Sequence, residues 1–224
     1  YQTNNTSIIY FALHGIGLIY YQCLQPEESI KYYQESLQYV PEGSLNSTAS
    51  LIDCGAAYLM MKDFPTAKDY LLKSEYIIKN HPERYELMLM VYTYLSDVEA
   101  KLNNDHAALK HIESGLNIIK THPISPTMKQ KYYLLTSKRM DIDIKLNKSR
   151  EAIEDFKILK SLKIPTDFFI MTDYLRQESE FNALIGNYQE AFILYKKYTS
   201  KVYDNKTQRL KKAGFLLKND VDLL

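Results

Sequence analysis

Five segments of the chain repeat one pattern, and this internal similarity limits the possible folds more than any other feature. They run over 13–41, 51–78, 95–119, 140–162 and 179–198. Each reads as a helix, a short polar break and a second helix, with breaks QPEE, KDFP, NNDH, NKSR and GNYQ. Pro26 and Pro65 stand where a helix begins, because proline has no amide proton to give and clashes with a preceding turn. Asn103, Asn147 and Asn187 suit the breaks, since their side chains cap or bend the backbone. In every second helix a small residue (Ser29, Ala67, Ala108, Ala152, Ala191) precedes a large one four places later (Tyr33, Leu71, Ile112, Phe156, Tyr195). That spacing stacks the two on one helix face. The small residue lets the paired helices approach, and the large one fills the gap between neighbouring pairs.

The small residues lie 38, 41, 44 and 39 positions apart, whereas a minimal helix pair repeats every ~34 residues. The surplus predicts longer helices and loops such as VPEGSLNS, KNHPE, KTHPISP and KIPTD, with Pro82, Pro123 and Pro165 as stops. Helices are expected over 6–24, 26–39, 46–61, 64–79, 83–102, 105–120, 126–146, 149–162, 167–185 and 188–203. A further helix over 205–218 is expected to cap the open end, since a terminal repeat has no neighbour to bury its outer face. The predicted fold class is therefore all-α, an α-α superhelix of about five helix pairs plus a C-terminal capping helix, in a single domain.

Composition agrees with helices and narrows the function classes. Gly and Pro number 7 each, too few for turn-rich β-structure, while Tyr reaches 20, which suits half-buried helix faces. A net charge of +1 supplies no overall field toward nucleic acid or membrane. No apolar run is long enough to span a bilayer. The chain opens on Tyr1 and is expected to be a mature or excised segment of a longer protein. Cys23 and Cys54 form no spacing framework and read as two buried thiols.

The repeat resembles the tetratricopeptide repeat (TPR) family. Leu13, Ile16, Gly17 and Tyr20 match its first-helix run, and Ser29, Tyr33, Ser36 and Pro41 its second. Leu51, Cys54, Gly55 and Tyr58, then Ala67, Leu71 and Ser74, repeat the match. Repeat three follows with Leu95, Ser96, Ala108, Ile112 and Gly115. Repeat four departs at Met140 and Asp143, and repeat five at Tyr198. A narrower resemblance, carried by long repeats rich in Lys, Asn and Tyr and by the closing FILYKKYTSKVYDN, is to the TPR sensor regions of Bacteroides-type transcriptional regulators or histidine kinases. It implies a periplasmic location; otherwise the chain is expected to be cytoplasmic.

The resemblance implies that first helices line a concave ligand face. Carried over position by position, it offers Phe11, His14 and Tyr21 in repeat one, Ile52 in repeat two, and Thr93, Asp97 and Lys101 in repeat three. It offers Ser137, Asp141 and Lys145 in repeat four, and Arg176 and Glu180 in repeat five. Such a face is apolar early and charged late, which suits a peptide. Asp97 with Lys101 and Asp141 with Lys145 also read as i,i+4 pairs that steady their own helices.

No catalytic or metal motif appears. His14, His81, His106, His111 and His122 include no i,i+4 pair and no H-E-x-x-H, and no phosphate-cradling glycine loop or G-x-S-x-G occurs. The expected function is a non-catalytic protein- or peptide-binding module without cofactor or metal. It reads as the ligand-sensing or partner-binding part of a larger bacterial regulatory protein, with a static scaffold as the alternative. A second copy is a further candidate partner, and nucleic acid enters only through a domain absent from this chain. The basic cluster Lys196, Lys197, Lys201, Lys206, Arg209, Lys211 and Lys212 reads as a solvated cap or a linker.

Overall fold

The structure is a computed structural model that describes residues 2–122, 125–162 and 168–221. Side chains are described for 6–122, 125–126, 128–162 and 171–204. Ten helices follow in order: α1 (Gln2–Gln22), α2 (Pro26–Leu37), α3 (Thr48–Met60), α4 (Phe64–Ile78), α5 (Tyr85–Lys101), α6 (Asp105–Thr121), α7 (Pro126–Lys145), α8 (Ser149–Ser161), α9 (Phe168–Leu184) and α10 (Tyr188–Val221). No strand occurs among the described residues. Short 3₁₀ turns at Leu45–Ser47 and Pro82–Arg84 lead into α3 and α5.

The five breaks share one backbone solution. Leu24, Lys62, Asn103, Asn147 and Gly186 all take positive φ, between 59° and 82°. The next amide, of Gln25, Asp63, Asn104, Lys148 or Asn187, donates to the carbonyl five residues back at 2.8–3.0 Å. This closes each first helix by satisfying a carbonyl that has no intrahelical donor. The small residue then opens the second helix: the amides of Ser29, Ala67, Ala108, Ala152 and Ala191 donate to the carbonyl four residues back. Asp63 adds a side-chain cap, accepting from the Thr66 amide at 3.2 Å.

The seam of each hairpin follows the small–large rule. Ser29, Ala67, Ala108 and Ala152 are fully buried, and Tyr33, Leu71, Ile112 and Phe156 beside them are at most 1% exposed. A Cβ on Gly17 would stand 2.6 Å from the Tyr33 ring, and one on Gly55 2.7 Å from Leu71. Side chains of this size contribute about 1.5–3 kcal/mol each on burial. Repeat five departs: Tyr195 is 53% exposed and Leu194 takes the buried place.

The chain divides into two compact units, Tyr1–Leu135 and Thr136–Leu224. In the first, α1 packs on α2, α3 on α4 and α5 on α6, while α2 meets α3 and α4 meets α5. Its core joins Ile52, Leu71, Ile78, Val91, Leu95 and Val98. In the second, α8 packs on α9 and α9 on α10. The second half of α7 is tied to α8 by the Arg139 guanidinium, whose Nε donates to Asp155 at 2.9 Å.

Two expectations change. The second helix of repeat five and the expected cap are one continuous helix of 34 residues. The break placed near 204 is absent because neither Gly nor Pro lies between Tyr188 and Ala213. Of the basic cluster, Lys196 and Lys197 are exposed, and Lys206, Arg209, Lys211 and Lys212 lie outside the described side chains. Cys54 is buried as expected, whereas Cys23 is exposed at the end of α1.

Candidate functional site

In the first unit, a polar row runs over α1, α3 and α5. His14 Nε2 and Asp53 Oδ2 are 2.9 Å apart, each about one-fifth exposed. The Tyr10 ring stacks on His14 with centroids 5.9 Å apart, and Tyr33 lies 5.4 Å from it on the other element of the hairpin. Burial, then the Asp53 charge, holds the Tyr21 phenol above its ordinary pKa. Burial also raises Tyr94, with further contributions from Tyr21, Asp53 and Asp97, which places these groups around one another. Lys131 Nζ lies 5.9 Å from the centre of the Tyr94 ring. The phenols therefore stay protonated at neutral pH and act as hydrogen-bonding groups beside carboxylates.

A His–Asp pair beside Cys54 raises the question of a nucleophile. The Cys54 thiol is fully buried, and burial together with the Asp53 charge pushes it up to about 12. A protonated, inaccessible thiol does not attack a substrate. Among the described residues no group of three or more His, Cys, Asp or Glu side chains is placed to hold a metal ion. None of the helices, over the same residues, is long and apolar enough to cross a membrane.

In the second unit, Arg176 on α9 is the hub. Its guanidinium donates to Asp141 on α7 at 2.8 Å, to Asp173 at 2.8 Å and to Glu180 at 2.9 Å. Ser137 Oγ donates to Asp173 at 3.2 Å and accepts from the Gln177 amide. Three carboxylates share one guanidinium, so the cluster keeps negative charge. Burial, reinforced by Asp173 and Glu180 and opposed by Arg176, pushes the Asp141 carboxyl up to about 6. The same three carboxylates hold Arg176 even further above its ordinary value, although burial works against them.

The expected contact residues fall into two groups. His14, Tyr21, Asp97, Asp141, Arg176 and Glu180 are half-buried on first helices, and Phe11, Lys101 and Lys145 are exposed. Ile52 at 1% exposure, Thr93 at 4% and Ser137 at 5% are buried. Ile52 belongs to the core, and Thr93 Oγ1 donates to the Leu89 carbonyl at 2.7 Å. In repeats two and three the partly exposed position is the next one along the helix, Asp53 and Tyr94. One residue is about 100° of helix rotation, enough to exchange core for surface. At these places in repeats two and three the face is polar, while α1 keeps exposed apolar residues such as Phe11 and Leu18. Asp53 carried a signal of its own, as the single charged residue in the otherwise uncharged stretch of α3.

No protein-family model matches the sequence, and no curated protein matches it. Solved structures do. A Signal Transduction ATPase with Numerous Domains from Pyrococcus horikoshii, which carries a tetratricopeptide repeat sensor, superimposes with a TM-score of 0.70 at 18% identity. The match covers 89% of this chain but spans only 30% of that one. A thermophilic TPR protein of Thermus thermophilus gives 0.56 at 17% identity, covering 93% of this chain and 99% of that one. MamA of Desulfovibrio magneticus gives 0.60 at 18% identity, covering 88% and 96%. Ten helices in antiparallel pairs among the described residues, five turns of one kind and these superpositions agree: the chain has the tetratricopeptide-repeat fold, an all-α, α-α superhelix class.

Proposed function

We propose that the chain is a non-catalytic protein- or peptide-binding module, the partner-sensing part of a larger regulatory protein, and that its first helices capture a basic segment. The observation that carries this reading is the set of partly exposed carboxylates on first helices in both units. Asp53 and Asp97 stand among phenols in one, and Asp141, Asp173 and Glu180 surround Arg176 in the other. Carboxylates beside hydrogen-bonding phenols favour a lysine- or arginine-rich strand over an acidic one. The Pyrococcus ATPase supports the context, since its TPR segment is a sensor inside a much longer chain. A scaffold that joins two proteins without switching would use the same faces; it differs only in having no attached output.

The test is fluorescence anisotropy with two labelled peptide pools of equal length, one carrying three lysines and one three glutamates. The lysine pool is expected to bind, with affinity falling as salt rises. Asp53→Asn and Asp173→Asn should each weaken it by about tenfold, which corresponds to ~1.4 kcal/mol. Equal binding of the glutamate pool would sink the reading.

A further inference from the structure

The second helices of the first unit carry a hollow that the first-helix rows do not use. It lies along α4 from Asp69 to Ile77, against the end of α2 at Leu37 and the start of α3 at Leu51, with a volume of about 820 Å³. Its far wall is the connection between α2 and α3, from which Gln38, Glu42 and Gly43 line it. Part of the repeat surplus seen in the sequence is spent here: seven residues, 38–44, separate α2 from the next 3₁₀ turn. Three follow α4, at 79–81.

We propose that this hollow is a binding site for a compact, flat organic cation. The volume falls within the range of small-molecule sites, about 300–1,000 Å³. Leu51 and Ile77, each under 10% exposed, form an apolar floor, and Leu72 and Tyr76 stand at the rim, 39% and 78% exposed. Tyr70 is fixed as a wall, because its hydroxyl accepts from Gln34 Nε2 at 2.9 Å and its ring stacks on Tyr58. A flat molecule is matched by the exposed Tyr76 ring at the rim, whose face also attracts positive charge, with the edge of Tyr70 as the wall behind it. The ionised groups on the lining are Glu42, Asp69 and Lys73, an excess of one negative charge. Lys73 already sits 5.4 Å from the centre of the Tyr70 ring.

The probes are two dyes with the same naphthalene core: dansylcadaverine, which carries an ammonium, and dansylglycine, which carries a carboxylate. Titrated into the intact chain, dansylcadaverine should bind with a blue-shifted emission, at least about tenfold tighter than dansylglycine. Leu72→Lys and Asp69→Lys, both at exposed positions, should each weaken it by a similar factor with the circular dichroism spectrum unchanged. Asp53→Asn on the first-helix row should leave dye binding intact, so failure here and failure of peptide capture are separable. Equal affinity for both dyes, or no response to Leu72→Lys, overturns the assignment. So does a dimer in sedimentation that Leu72→Lys dissolves, since a second copy would then fill the hollow.

Discussion

Lys62 and Leu24 occupy the left-handed backbone region with φ of 64° and 59°. A side chain beyond glycine pays about 1–2 kcal/mol there, because Cβ crowds the following carbonyl. Asn103 and Asn147, at the same place in later repeats, tolerate it better, and Gly186 is free of the clash. Lys62 is exposed, so little packing is lost by removing its side chain. Lys62→Gly is expected to stabilise the chain by ~0.5–1 kcal/mol, after the extra unfolded-state entropy of glycine is subtracted. Urea unfolding measures it, and a lower midpoint for the variant would contradict the strain argument.

At the scale of elements, hairpin geometry depends on how closely two helices approach. Gly55 on α3 faces Leu71 on α4, and an added Cβ would meet Leu71 Cγ at 2.7 Å and the Ala67 carbonyl at 3.3 Å. Neither obstacle is the loose end of a flexible side chain. Alanine is the better helix former by about 1 kcal/mol, but overpacking a filled seam costs about 1–3 kcal/mol. The second effect wins, and Gly55→Ala should destabilise by ~1–2 kcal/mol. Thermal melting of the variant against wild type reads this; no loss would mean that the pair can spread at little cost. Gly15 serves as control: nothing lies within 4 Å of its added Cβ, so Gly15→Ala should keep the helix-propensity gain.

For the whole molecule, a net charge of +1 conceals how charge is distributed. Carboxylates converge on Arg176 in one unit, and Asp53 pairs with His14 in the other. Because Asp141 ionises near 6 in the folded chain, against an ordinary 3.8, the fold favours its protonated form. That contribution to stability is complete below about pH 4 and is lost as pH rises through 6. Capture of a basic partner runs the other way, gaining a carboxylate charge over the same window. Lysine-peptide affinity should therefore rise between pH 5 and pH 7.5, and Asp141→Asn should flatten that part of the rise. Parallel titrations of the two proteins provide the measurement, and identical pH profiles would remove Asp141 from the site. Arg176 is a poor neutral probe of binding, since reversing its charge would leave four carboxylates together.

The repeat, its five turns and the seams of the first four hairpins were legible in the amino-acid order alone. They are local: a left-handed turn residue, a small residue five places on and a partner one helical turn later need no knowledge of other repeats. The ends of nine helices fell within a few residues of their expected places for the same reason. The last was misjudged because α10 has neither Gly nor Pro near 204 to act as a local stop signal. Not every solvent-facing residue of a first helix was legible. Exposure depends on the rotation at which one pair packs on the next, and a shift of one residue buried Ile52 and Thr93 while leaving Asp53 and Tyr94 partly exposed. The Arg176 hub gathers Asp141 from 35 positions away, and the hollow beside α4 joins walls from two repeats and a loop. Only packing between pairs decides such contacts, because long-range proximity leaves no spacing signal along the chain.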